Sequence, residues 1–232
     1  ITTVGYYCNP IQYAEHRKTL ENVICTAGKF GATHVSTFAG AWEGKPVESA
    51  YEEFGKVFRE LADLAEEKGV KLGIENCLMD GTWEHATCNI GFNPKAWEVM
   101  FEEVKNDNFG LECQPTHQMV QLIDPVTELR KWCKKIVHIH GKDATIDWDA
   151  VRHSGISGAV PFVWHRMPGF GDTNWRDIIS ILRSNGYEDD ICIEGYHDPV
   201  YSGELEMTGQ LHALNYLKWC RGGDFTQTPW EK

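Results

Sequence analysis

A short apolar run followed by an amphipathic helix recurs six times along this chain, and several of the runs end on polar residues. The clearest copy is Val70-Lys-Leu-Gly-Ile-Glu-Asn-Cys77. In an extended strand, side chains alternate between faces. Val70, Leu72 and Ile74 therefore share one face, and Lys71, Gly73 and Glu75 share the other. A carboxylate at the end of a buried strand is costly unless it is paired, hydrogen-bonded or bound to a metal. Regular strand–helix alternation calls for a parallel sheet covered by helices.

The remaining units follow the same plan. Strands are expected at Thr3 to Tyr7, Thr33 to Phe38, Phe109 to Gln114, Ile136 to Gly141 and Ile191 to Glu194. The longest helix is expected over residues 47 to 68, where Tyr51, Phe54, Val57, Phe58, Leu61, Leu64 and Ala65 keep helical spacing. Residues 144 to 173 form a long connection with little periodicity, of the kind that is usually functional or carries short elements of its own. No glycine-rich phosphate loop follows any strand, so a dinucleotide-binding sheet loses weight. Polar groups at the carboxyl ends of several strands favour a TIM (β/α)₈ barrel, as a single domain over residues 1 to 232. Six units are two short of eight. With Ile1 at the start in place of methionine, the expectation is that the first two units lie upstream.

Composition narrows the function classes. The net charge of −12 disfavours a nucleic-acid partner, whose affinity rests on Lys and Arg. No apolar run approaches the ~20 residues that a membrane span needs. The eight cysteines contain no CxxC pair and read as reduced, buried thiols of a cytoplasmic protein. The polar tail from Gly222 to Lys232, with Phe225 and Trp230, either reaches a neighbour or frays.

Four strands offer ligands. They are Glu75; Glu112 and Gln114 on one face, with His117 one turn later; His138 and His140, with Val137 and Ile139 on the opposite face; and Glu194, with Ile191 and Ile193 facing the helices. As neighbours in a barrel, their inward ends converge at one rim. Two carboxylates, an imidazole and an amide oxygen suit Mn²⁺, Mg²⁺, Co²⁺ or Zn²⁺, with no thiolate to force zinc. The bland alternative is a set of salt-bridged glutamates and satisfied core histidines. Four such strand ends in phase argue against it.

These residues carry a resemblance to a known family. Gly5-Tyr-Tyr-Cys-Asn-Pro10, Leu72-Gly-Ile-Glu-Asn76, Gly110-Leu-Glu-Cys-Gln-Pro-Thr-His117, His138-Ile-His-Gly-Lys-Asp143, Pro168-Gly-Phe-Gly-Asp172 and Ile193-Glu-Gly-Tyr-His-Asp198 resemble the xylose-isomerase-like barrels, the sugar phosphate isomerases and epimerases. The likeness covers nearly the whole chain. It implies metal ligands at Glu75, Gln114, His140 and Glu194, with Mn²⁺ foremost. Gln114 departs from the family's carboxylate, and Glu112 is the alternative on the same face.

The resemblance also implies chemistry. Glu75 and Glu194 would act as acid and base on a carbon-bound proton next to a carbonyl, through an enediolate, and His117, which matches a family histidine that approaches the metal or the substrate, is the third catalytic candidate. Trp83, His138, Lys142, Arg166 and His197 are the candidates for substrate contact. The expected function is a metal-dependent sugar isomerase or epimerase acting on a small sugar or sugar derivative, and the expected assembly is a homo-oligomer. Two alternatives stand beside it. One is a 3-keto-glycoside lyase of the same superfamily, motivated by the segment Glu112 to His117 and by Trp164-His-Arg166. The other is a non-catalytic metal- or sugar-binding subunit, motivated by Gln114.

Overall fold

A computed structural model describes residues 1–223. Strands β1 (Thr3–Gly5), β2 (His34–Thr37), β3 (Lys71–Glu75), β4 (Phe109–Cys113), β5 (Ile136–Gly141) and β8 (Ile191–Ile193) form one six-stranded sheet in the order β1-β2-β3-β4-β5-β8. Every neighbouring pair in it is parallel. The sheet curls far enough for its two edges to meet at the amino end, where Thr2 Oγ1 donates to Asp190 Oδ2 at 2.7 Å. His34 on β2 also stands 3.4 Å from Asp189. This is a partial barrel of parallel strands, as the alternation requires.

Helices α1 (Ala14–Ala27), α2 (Tyr51–Glu67), α3 (Pro94–Glu103), α5 (Pro125–Trp132), α7 (Trp175–Ser184) and α8 (Glu206–Cys220) follow successive strands, and the short α4 (Pro115–Met119) directly continues β4. The apolar core lies between sheet and helices. On α2, Phe54, Val57, Phe58, Leu61 and Ala65 are buried at helical spacing. Phe54 and Phe58 stack at 4.6 Å and both lean on Phe109 of β4. Each such ring contributes roughly 1.5–3 kcal/mol by leaving water. A single 3₁₀ turn, Val47–Ala50, precedes α2, so the expected helix over 47 to 68 is two elements. Pro94 at the first turn with the Asn93 cap starts α3, and the Asp124 side chain caps α5.

The connection over 144 to 173 is ordered. Strands β6 (Asp143–Ile146) and β7 (Val163–Arg166) pair antiparallel around the short helix α6 (Trp148–Ser154), making a hairpin beyond the carboxyl end of β5. Asp143 anchors it. Its buried carboxylate accepts from Ala144 N, Gly169 N, Thr173 N and Trp175 Nε1 at 2.8–3.2 Å.

Two expectations change. The register between β4 and β5 slips at Leu111/Glu112. Val137 leaves the outer core and fills the space over Gly73 and Gly110, where an added Cβ would stand 2.5–3.0 Å from its methyl groups. Cysteines 8, 113 and 133 are buried, but Cys25 and Cys192 are exposed, Cys192 because β8 is an edge strand. No helix among the described residues is long and apolar enough to cross a membrane. The tail beyond Gly223, including Phe225 and Trp230, lies outside the described residues.

Candidate metal centre

Glu75 ends β3 and is buried. Two asparagines hold the backbone around it. Asn89 donates to the carbonyls of Glu75 and Cys77 at 2.9 and 2.8 Å, while its own oxygen accepts from Ala39 N and Gly91 N at 2.9 Å. Asn76 clamps β3 to β4 by accepting from Gln114 N at 2.8 Å and donating to Gln114 O at 3.1 Å. These bonds continue the ladder past the strand ends, where the chain would otherwise be free to splay.

At the same rim the strand ends converge. His140 Nδ1 lies 3.5 Å from Glu75 Oε1 and 3.3 Å from Glu194 Oε2, yet it is aligned with neither as a hydrogen bond. Gln114 Nε2 donates to Glu194 Oε2. Lys142 Nζ donates to the other Glu194 oxygen at 2.8 Å. His140 Nε2 faces away from this group and stands 3.1 Å from Glu112 Oε1. Glu112 also accepts from Ser36 Oγ at 2.6 Å and from Tyr7 Oη at 2.8 Å.

The electrostatics favour a cation. Three carboxylates, Glu75, Glu112 and Glu194, surround one imidazole and one ammonium. Burial alone would depress His140, but the Glu194 and Glu75 carboxylates beside it raise its pKa to about 10. Burial alone would raise Glu194, but His140 and the Lys142 ammonium more than offset it and leave it at about 2. Burial raises Glu112 to about 7, against the charge of His140. Gln114 Oε1 and His140 Nδ1 are both buried without a hydrogen-bond partner. A buried polar atom with no partner costs about 1–3 kcal/mol. A divalent cation would satisfy both atoms and the excess negative charge, so the residues present fit one. Glu75, Glu112 and His140 also offer ligand atoms within 4.8 Å of one another.

The other sequence candidates divide by position. Lys142 joins the cluster, and its ammonium lies 5.9 Å from the Tyr196 ring centre. His117 Nε2 is 3.9 Å from Glu75, and burial followed by the charge of Lys142 lowers its pKa to about 3. His197 stands 5.7 Å ring-to-ring from His165, which in turn bonds to Thr116 Oγ1 at 3.0 Å. Arg166 is engaged by Asp198 at 3.3 Å and covers Phe170. Trp83 packs against Phe92 and donates to Glu48 at 2.5 Å, outside the cluster. His138 is buried one layer below the rim, between His34 and His140, with Thr3 Oγ1 at 3.3 Å. Sequence reasoning missed Tyr7 and Ser36 because their roles depend on the curl of the sheet, and Asn89 because its partners are backbone groups that only the folded loop brings together. Asn76 carried a signal, since it directly follows the strand-end glutamate.

A family model described as a xylose isomerase-like TIM barrel matches residues 6–218. The chain belongs to the xylose isomerase-like TIM-barrel family. Within reach of this family lies the inosose dehydratase of Clostridium tetani (strain Massachusetts / E88), 26% identical over 182 residues, which make up 76% of this chain and 57% of that protein. The chain thus spans little more than half the length of that relative. Among solved structures, an IolI protein with a bound zinc atom aligns at a TM-score of 0.70 and 20% identity, covering 98% of this chain and 77% of that one. D-psicose 3-epimerase aligns at 0.70 and 16%, covering 96% and 79%. At these identities the two structures establish the family's fold in this chain.

Proposed function

We propose that this chain carries the metal-binding face of an enzyme that removes a carbon-bound proton next to the carbonyl of a sugar or sugar-derived ketone, with isomerase or epimerase chemistry as the outcome. The observation that carries this reading is the convergence of Glu75, Gln114, His140 and Glu194, with Gln114 Oε1 and His140 Nδ1 buried and unpartnered. Those four residues would hold the metal. Mn²⁺ leads, with Mg²⁺, Co²⁺ and Zn²⁺ compatible with the same mixed oxygen and nitrogen donors. The zinc atom of the IolI structure supports a divalent ion as the cofactor. When bound, such an ion polarises a carbonyl and its neighbouring hydroxyl, which stabilises an enediolate.

The chain's own groups do the rest. Glu194 stands as a carboxylate with the Lys142 ammonium on one oxygen, which leaves it able to serve as the proton acceptor. Lys142 fixes the orientation of that carboxylate. Glu75 is the second carboxylate at the opening and serves as its partner in proton transfer. His117, with its low pKa, is a neutral imidazole there and orients a substrate hydroxyl. Lys142, His197, Trp83, Arg166 and His138 remain the proposed substrate-side residues; of these, Lys142 is bonded to a rim carboxylate. The substrate is a small sugar derivative, and the active assembly is a homo-oligomer.

A second reading, elimination across a keto sugar, has the inosose dehydratase relative in its favour, since dehydration begins with the same proton removal. Solvent deuterium uptake into keto sugars and keto inositols tests the proposal. Exchange that depends on metal and disappears in Glu194→Gln supports it; near-normal exchange in that variant removes the assignment. Loss of water or of an aglycone, rather than reversible interconversion, selects the second reading.

A further inference from the structure

Glu112 is fully buried on β4 and has no part in the chemistry above. Its surroundings are nevertheless built around it. Tyr7 reaches it from beyond β1, at 2.8 Å on Oε2, and Ser36 reaches it from β2, at 2.6 Å on Oε1. Glycine at position 5 makes room for the Tyr7 ring, since a Cβ there would stand 2.7 Å from it. Gly73 beside Glu112 leaves little space for a larger residue, with an added Cβ 3.4 Å from the Glu112 Cβ. Three strands therefore supply the donors or the space that seat one carboxylate.

Of the two imidazoles beside that carboxylate, His140 is the nearer; His138 Nε2 stands 3.9 Å from Oε1. His140 Nε2 is 3.1 Å from Glu112 Oε1, whereas Nδ1 looks the other way, toward Glu75 and Glu194. A metal-ligating histidine is oriented by whatever accepts the proton on its other nitrogen, and a carboxylate there raises its basicity. Gln114 makes this more consequential. It brings an uncharged amide to the ligand set, so the negative charge behind His140 is the one the rim lacks.

We infer that Glu112 is a positioning residue that keeps the His140 proton on Nε2 and leaves Nδ1 as the metal-binding nitrogen. The inference rests on the reading of the rim as a metal centre. Glu112 behind the ring thereby decides which nitrogen of His140 binds, where a metal site without it leaves either nitrogen free to do so.

The test uses zinc, which is diamagnetic. The ¹⁵N-labelled protein is loaded with Zn²⁺, and long-range ¹H–¹⁵N correlation spectra are recorded for the His140 ring, assigned with His140→Gln. Zinc affinity is measured in parallel by chelator competition for the wild type and Glu112→Gln. Expected are a zinc-shifted Nδ1 with the proton on Nε2, and an affinity about 10–100-fold weaker in the near-isosteric variant. Zinc bound through Nε2, or a Glu112→Gln affinity equal to wild type, overturns this inference alone. A wild type with no affinity for zinc overturns the metal centre and this inference together. Because the nitrogen assignment is made on the wild type, a variant that fails to fold leaves the test intact.

Discussion

Lys142 Nζ and Glu194 Oε1 meet at 2.8 Å across the gap between the residue just past β5 and the residue just past β8. Lys142 is buried, and His140 together with the Lys142 ammonium holds Glu194 below the ordinary carboxylate range. Removing the ammonium lets Glu194 take up a proton at higher pH. In Lys142→Met, the acid limb of metal binding therefore moves up in pH, and the affinity lost is greater at pH 5 than at pH 8. Titration of metal affinity against pH reads this; superimposable profiles would show that Lys142 does not control the carboxylate.

His140 holds a proton up to about pH 10 in the metal-free protein because two carboxylates face it. A ligand nitrogen must lose that proton to bind a cation. Metal binding at pH 7.5 is thus expected to release about one proton per site. Calorimetry in buffers of different ionisation enthalpy measures it directly. Binding without proton release would place the ion elsewhere.

Gln114→Glu restores a charged oxygen at the one rim position where the amide stands. The expected outcome is at least about tenfold tighter binding of Mn²⁺, on the scale of one added charge-assisted contact. An unchanged affinity would mean that position 114 does not face the ion.

Asn89 makes four hydrogen bonds to backbone groups of three segments and is fully buried. Asn89→Ala leaves those groups unpaired, and the loss is expected to be about 3 kcal/mol of stability. Urea denaturation measures it, and metal affinity should fall in the same variant because Glu75 loses its backbone support. A loss below about 1 kcal/mol would mean that water replaces the side chain at little cost.

The fold was legible because period-two strands and amphipathic helices alternate with unusual regularity. The convergence of Glu75, Gln114, His140 and Glu194 was legible for the same reason, since each sits in phase at the end of a run. The layer beneath was not. Tyr7 and Ser36 reach Glu112 only because β1 and β2 curl over β4, and nothing in local periodicity encodes that curl. The slip at Leu111/Glu112 turns Val137 toward two glycines, and alternation counted along a single strand has no way to register a bulge. His138 shares a face with His140, but a residue two places earlier in a strand lies about 6–7 Å deeper, which places it under the rim. Trp83 sits in the loop after β3 as read, yet its indole is drawn outward by Glu48 and Phe92.

The central claim is that this rim holds one divalent metal. Elemental analysis of protein purified without added metal or chelator, repeated on Glu194→Gln, tests it most directly. One transition metal per chain in the wild type, lost in the variant, is the predicted result. No metal in the wild type, even after soaking in Mn²⁺, would contradict the account and favour a role in binding sugars without turnover.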